Sequence, residues 1–413
     1  MELQIEKVTV RNYRCIGKLE IDKLAPITIL VGRNNTGKSA LLEALALASA
    51  ASEGWRDCLG DDLIEPMIER RGGWQYSDMM IKIGENRAEI DIAGDHIGGK
   101  LEIAKDIEVF PDDIRQKLAS GLNEYIMNLF DSTVRTAERY MEEIHPRTRE
   151  ERMRLPLPSP RLEMMTRNLE KVRSRIWEYP NFIVYSDERR GKLEYAILLG
   201  ERFRTDMMDA IARYIHAPYP LPKRVVSSSD SGRSRTIFLL RPSVQYLKEL
   251  QRRLAQSGDL IRLVGTLREK ISYFVDIREV DESFLVFVRG LERPVPLESM
   301  GDGFRAKLAI LSAIAAVKKG IALMEEPETR LHPGYVSSLV DEIGKTASDG
   351  KLQYVVSTHS LDFLDAVLET VPELVKVVRM YRMEDTTEID FEILDGKESL
   401  EERDKLKMDL RGV

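Results

Sequence analysis

Two things are scarce in this chain, cysteine and long apolar runs, and each scarcity excludes a class of protein. Only two cysteines occur in 413 residues, and Cys15 and Cys58 form neither zinc nor disulfide spacing, which points to a reducing compartment. No apolar run approaches the ~18 residues needed to span a bilayer. The N-terminal stretch Met1-Glu2-Leu3-Gln4-Ile5-Glu6-Lys7 is charged and lacks the apolar centre of a signal peptide. A cytoplasmic protein without membrane contact is therefore expected. Positive charge is not in excess either. A net charge of −7 argues against a surface that coats nucleic acid throughout, while leaving a local basic face open.

What is present describes a globular protein rich in charge, with 43% hydrophobic and 32% charged residues and length for two or three domain-sized units. The chain is organised around Gly32-Arg33-Asn34-Asn35-Thr36-Gly37-Lys38-Ser39, which matches G-x-x-x-x-G-K-[ST]. It follows the β-type run Ile27 to Val31 and opens a helical pattern from Ala40 to Ala51. The glycines allow a tight turn whose backbone N–H groups surround phosphate oxygens, and the positive end of the following helix points at the same place. Lys38 would neutralise the β- and γ-phosphates of a nucleotide, and the Ser39 hydroxyl would ligate Mg²⁺.

Before this loop, residues 3–10 alternate as a strand, residues 11–17 turn, and LEIDKL returns as a second strand. Asn12 and Arg14 on that hairpin would reach adenine or ribose; an ordinary surface turn reads equally well. Beyond the helix, 79–84, 88–94 and the run LEIAKDIEVF read as strands of an antiparallel layer. Helical patterning covers 112 to about 175, broken by three prolines within 155–160. A strand follows at 181–185, then a helix at 202–215 and a Pro/Ser-rich loop at 217–235. The span 131–235 carries 21 Lys and Arg against 16 Asp and Glu, a local excess of +5 in an acidic chain. Such an insertion suits contact with a phosphate backbone, and a solvated arginine-rich helical surface suits it as well. A helix is expected from 244 to 269, followed by the strands SYFVDIREV and SFLVFVRG.

Three further features come in fixed order. Ser299, Gly301 and Gly303 open a helix through Lys318, a second turn whose backbone N–H groups suit an anion. An apolar strand from Gly320 ends in Glu325-Glu326-Pro327-Glu328, placing carboxylates at the C-terminal edge of a sheet, where α/β folds bind ligands. Glu325 suits Mg²⁺ and Glu326 suits activation of water. The strand from Gln353 ends in Ser357-Thr358-His359-Ser360, where His359 would sense or contact the γ-phosphate.

In these motifs the chain resembles the ABC-type ATPases of the RecF/SMC/Rad50-like branch. Within it the chain is most similar to the ATPase part of the OLD (overcoming lysogenization defect) family. The resemblance implies an α/β P-loop NTPase fold with a mixed sheet, an antiparallel β-layer and a helical insertion. The lobes would be 1–110, 111–235 and 236–413. It further implies that Gly32 to Ser39, with Ala40, form Walker A, that Glu325 and Glu326 form Walker B, and that His359 is the switch histidine. Ser299, Gly301 and Gly303 would meet the γ-phosphate held by a second protomer, giving a head-to-tail homodimer around two Mg·ATP. Two departures stand out: Glu325 occupies the usual aspartate position, and no Q-loop is evident, Gln75 being one candidate. After the histidine strand about 50 residues remain, which leaves no room for a Toprim nuclease domain. The implied activity is ATP hydrolysis coupled to DNA repair or defence, with a nuclease or toxin as a separate partner. The competing expectation is a nucleotide-gated scaffold that sequesters such a partner with little turnover. A transporter subunit fits the insertion and hairpin poorly.

Overall fold

The computed structural model describes residues 4–51, 54–58, 62–64, 67–68, 79–144, 160–211, 224–227, 236–239, 244–281, 283–317, 319–329, 331, 333–383 and 388–406. Two large sheets and a helix between them position the site. The central sheet is built from β3 (Ile27–Val31), β9 (Thr236–Leu239), β13 (Gly320–Glu325), β14 (Leu352–Ser357), β15 (Val375–Arg382) and β16 (Ile389–Asp395). Its order is β16-β15-β3-β14-β13-β9, and every pairing is parallel except β15 with β16. The inner strands β3, β13 and β14 are covered on both faces and buried nearly throughout, whereas β15 and β16 at one side of the sheet keep exposed polar residues. Ile27, Ile29 and Val31 of β3 face one core cluster while Leu30 faces another; Ala322 and Met324 of β13 divide from Ile321 and Leu323 in the same way.

One face is covered by α5 (Val244–Ser257), α6 (Leu260–Lys270), α7 (Asp302–Ala316), α8 (Pro333–Ser348) and α9 (Leu361–Thr370). The other receives α1 (Lys38–Ala51), the helix that follows the phosphate loop. Every residue of α1 but Ser39 is buried. That follows from its composition, LLEALALASAA, which is apolar all round and can only sit between two layers.

The second layer is a fully antiparallel sheet of β1 (Lys7–Tyr13), β2 (Ile16–Ile21), β4 (Arg87–Ala93), β5 (Gly99–Ala104), β6 (Pro180–Asp187), β7 (Lys192–Leu199) and β8 (Arg224–Ser227). The order is β2-β1-β4-β5-β6-β7-β8. Its inner face, with Ile183, Tyr185, Ala196 and Leu198, meets the α1 cluster. Its outer face, with Phe182, Val184, Ile197 and Leu199, carries α2 (Asp112–Ile144), α3 (Pro160–Ser174) and α4 (Glu201–Ile211). The helical insertion therefore sits on the antiparallel layer, separated from the phosphate loop by that layer and α1. A small sheet of β10 (Phe274–Val280), β11 (Ser283–Val288) and β12 (Val295–Pro296) leads into α7, and α10 (Gly396–Leu406) closes the described chain.

The α/β class with a mixed sheet, antiparallel layer and helical insertion is as expected from the sequence. Several local expectations are corrected. Residues 79–84 form no strand: Ile81 makes one isolated bridge to Tyr13, and the segment clamps the hairpin turn through Arg14 N to Met80 O and Lys82 N to Asn12 O. Its alternation has no sheet to serve, and Met79 and Ile83 stay exposed. The loop expected at 217–235 contains β8, the edge strand beside β7. The helix expected over 244–269 is two helices, split at Gly258, whose φ of +78° breaks the hydrogen-bond ladder. Strands β7, β9, β12, β15 and β16 go beyond the expected elements. Gln75, His332 and most of the proline break at 155–160 lie outside the described residues. Among the described residues no helix is long and apolar enough to cross a membrane.

Candidate functional site

The loop after β3 folds around Lys38, with the carboxylates at the end of β13 near its ammonium and β15 and β16 against the loop itself. The loop conformation is set by contacts far along the chain. Gly32 has φ +145°, and a Cβ there would lie 2.1 Å from the carbonyl oxygen of Met380 on β15. Gly37 has φ +90°, and its Cβ would meet the Ile389 side chain at 2.7 Å. Asn35, φ +64°, is a residue type that tolerates the left-handed region, and its carbonyl accepts from Arg382 Nη2 at 3.0 Å. The two C-terminal strands thus form the floor of the loop, a contribution that the sequence motif does not reveal.

Within the loop, Lys38 Nζ donates to the carbonyls of Gly32 at 2.7 Å and Arg33 at 2.8 Å, while Thr36 Oγ1 donates to Arg33 O at 2.9 Å. The ammonium lies inside the turn, where a phosphate would sit. Burial pushes its pKa down to about 8, against the opposing pull of Glu326 and Glu325. The Ser39 hydroxyl donates to Glu325 Oε1, joining the first turn of α1 to the end of β13.

Glu326 follows at φ +46°, a strained conformation for a non-glycine residue, fixed by its N–H donating to Ser357 O at 2.9 Å. One carboxylate oxygen lies 3.6 Å from His359 Nε2, and the other accepts from Thr329 Oγ1 at 3.3 Å. β13 and β14 are neighbours in parallel register, Glu325 opposite Ser357, so the carboxylate pair and the histidine emerge side by side. Glu328 extends this cluster: its Oε1 accepts from Thr358 Oγ1 at 2.5 Å, and burial raises its pKa. The E-x-E spacing was visible in the sequence, but the Thr358 partner on the next strand was not.

Arg14 and Asn12 bracket the hairpin turn with φ of +54° and +52°. The Arg14 guanidinium pairs with Glu43 at 2.6 Å, whose side chain is fully buried on α1. Arg14 therefore ties the hairpin to the phosphate-loop helix.

Ser299, Gly301 and Gly303 lie apart in character. Ser299 ends a 3-10 turn, Leu297–Ser299, and Gly301 caps α7. Ser299 and Gly301 are exposed, and a Cβ at Gly301 would meet nothing within 4 Å. Leu297 and Phe304, on either side, are buried in the helical core and hold the turn at the surface.

The donor set suits Mg²⁺ in its chemistry. A hydroxyl and a carboxylate, already in contact, are hard oxygen ligands, and Mg²⁺ commonly takes one or two carboxylates with the rest of its shell from phosphate and water. Among the described residues no cluster of three His, Cys, Asp or Glu side chains could hold a metal unaided.

A family model described as "AAA ATPase domain" matches residues 3–151, and one described as "AAA domain, putative AbiEii toxin, Type IV TA system" matches 203–365. Each of the two models covers less than half of the chain. An uncharacterized protein of Methanocaldococcus jannaschii, MJECL10, is 43% identical over 92 residues, which span 22% of this chain and 41% of that protein. A protein of Helicobacter pylori named "ATP/GTP phosphatase" is 22% identical over 386 residues, 89% of each chain. Among solved structures, an Smc head bound to the C-winged helix domain of ScpA aligns over 97% of this chain and 100% of its own, at 12% identity and TM-score 0.46. An Smc head with an extended coiled coil, bound to the C-terminal domain of ScpA derived from Pyrococcus furiosus, gives the same identity and score over 98% of this chain and 99% of its own.

Proposed function

We propose that this chain is an ABC-type ATPase that hydrolyses ATP in a site completed by a second copy, with motifs similar to those of the OLD-like ATPases. The observation that carries the reading is the convergence of Lys38, the Ser39–Glu325 contact and the Glu326–His359 pair at one edge of the parallel sheet. The phosphate loop grips the triphosphate through its backbone N–H groups, and Lys38 exchanges two carbonyl partners for phosphate oxygens. Ser39 and Glu325 would hold Mg²⁺, which would supply charge neutralisation on the bound phosphates. Glu326 accepts the proton of the attacking water, and His359 orients that carboxylate. Ser299 and the N–H groups at Gly301 and Gly303 complete the site across a two-fold axis. The H. pylori relative's name accords with nucleotide hydrolysis, and the match of both lobes to AAA models supports it.

The test is Glu326→Gln. Phosphate release should fall by roughly 10²- to 10⁴-fold, ATP should still bind, and the protein should run as a dimer with ATP on gel filtration. Turnover at the wild-type rate would place the general base elsewhere.

The output of the cycle is proposed to be a DNA transaction in repair or defence. Arg167 is exposed on α3 and Arg189 on the turn between β6 and β7, where a phosphate backbone would reach them. A salt-dependent gel shift of free duplex, lost in Arg167→Ala/Arg189→Ala, supports this; no shift by the wild-type protein removes it. A second reading draws on the toxin-type description of the model matching 203–365: a nucleotide-gated scaffold that holds a nuclease or toxin. Stable co-purification of such a protein, with slow turnover and no DNA binding, would favour that alternative.

A further inference from the structure

The mechanism leaves one buried ionisable group unused. Lys307 lies on α7, the helix that begins at the serine–glycine turn, and its side chain is fully buried. Its ammonium donates to Ser338 Oγ at 2.6 Å and to the carbonyl of Lys270 at 3.4 Å, and it sits 4.4 Å above the ring of Tyr335. Among the described residues no carboxylate pairs with it, and burial pushes its pKa down to about 8, helped by the nearby charge of Lys270. A buried cation with only neutral oxygens and a ring face is a net cost to folding, which a methionine of similar length would not incur. Its retention calls for something other than packing.

The partners show what the side chain joins. Tyr335 and Ser338 occupy the first turns of α8, the helix entered directly from the Glu325–Glu328 segment. The Tyr335 hydroxyl is 2.6 Å from that of Tyr273, in the turn leaving α6, and Lys270 Nζ pairs with Asp341 of α8 at 2.9 Å. Phe304, one turn before Lys307, packs on Tyr273 and Phe274 with ring centroids 6.4 and 6.0 Å apart. The side chain thus bridges the helix carrying the exposed turn and the helix that leaves the carboxylates. We propose that Lys307 is a positioning residue that fixes the serine–glycine turn in register with Glu326 of the same chain, so that two copies close on nucleotide as rigid halves.

This inference rests on the two-copy ATPase reading, and the experiment separates the two. Phosphate release and ATP-dependent self-association are measured for the wild-type protein, Lys307→Met and Ser338→Ala, with apo Tm alongside. For Lys307→Met the expected result is a Tm equal to or above wild type, a KM for ATP within twofold, and kcat and ATP-dependent association each lower by at least tenfold. A purely structural lysine would not give that combination of kept stability, kept KM and lost kcat. Ser338→Ala, which removes the hydroxyl partner at little change in volume, should lower kcat at least threefold at constant KM, and it decides the matter if Lys307→Met fails to fold. Wild-type protein that neither hydrolyses ATP nor associates with it overturns both the reading and the inference. Active wild type with kcat unchanged in Lys307→Met, or in Ser338→Ala where the first does not fold, overturns the inference alone.

Discussion

The phosphate loop and the serine–glycine turn differ in how far their polar chemistry is already engaged. At the loop, Lys38 holds two carbonyls, Ser39 holds Glu325, Thr36 holds Arg33, and the neighbouring Arg14 holds Glu43. At the turn, Ser299 and Gly301 face solvent above a buried apolar anchor. Both are glycine-bearing helix starts suited to anions, yet one is walled in by β15, β16 and the end of β13 and the other stands open. A loop that saturates itself is preorganised and must give up internal bonds to bind. An open turn gives up nothing, but on its own it supplies too few groups to hold a triphosphate. The pairing of one closed and one open half is what a site shared between two copies would leave on each chain.

The largest expected effect breaks the closed half. Lys38→Ala should reduce ATP affinity by roughly 100-fold, because a charge-assisted contact to phosphate is lost. Calorimetry with Mg·ATP checks this, and unchanged affinity would remove the phosphate-loop assignment. Ser299→Arg attacks the open half and should leave that calorimetric affinity intact, while ATP-dependent dimerisation weakens by about tenfold or more through misplaced bulk and charge. Gel filtration with and without ATP reads the difference. A Ser299→Arg protein that dimerises with ATP like wild type would dissolve the contrast between the two halves.

How much of this was legible beforehand follows from the range of the interactions. The loop, the carboxylate pair and the histidine are short linear motifs whose flanking periodicity declares strand or helix, so their elements appear where expected. α1 could be read because its apolar character is continuous. What escaped were facts made by partners distant in sequence. The need for glycine at position 32 comes from the Met380 carbonyl, and the loop's outer wall from Arg382. Glu328 gains meaning only beside Thr358, and Arg14 only beside Glu43. β7 was missed because LEYAILL is nearly continuous in apolar residues, a pattern that does not separate a strand covered on both faces from a buried helix. The false strand at 79–84 is the converse case, an alternation that no neighbouring sheet made use of.

The smallest effect sharpens the closed half by titrating it. With its amine held near pKa 8 by burial, Lys38 is charged below that pH both free and bound. A triphosphate contact favours the charged form, so the bound pKa lies above 8. Between the two values the free protein is neutral at this amine and binding takes up a proton. ATP affinity should therefore fall as pH rises past 8, by up to about tenfold per unit, and proton uptake should show as a buffer-dependent binding enthalpy. Stability responds with the opposite sign. A lysine depressed on folding binds fewer protons in the native state than in the unfolded one between about 8 and its ordinary value of 10.5, so its burial penalty eases as pH rises through that window. Comparing wild type with Lys38→Met isolates this contribution from the other titrating groups. The relative stability of wild type should climb from pH 8 to 10 while its nucleotide affinity declines. If both quantities moved together, the amine would not be the group confined within the loop.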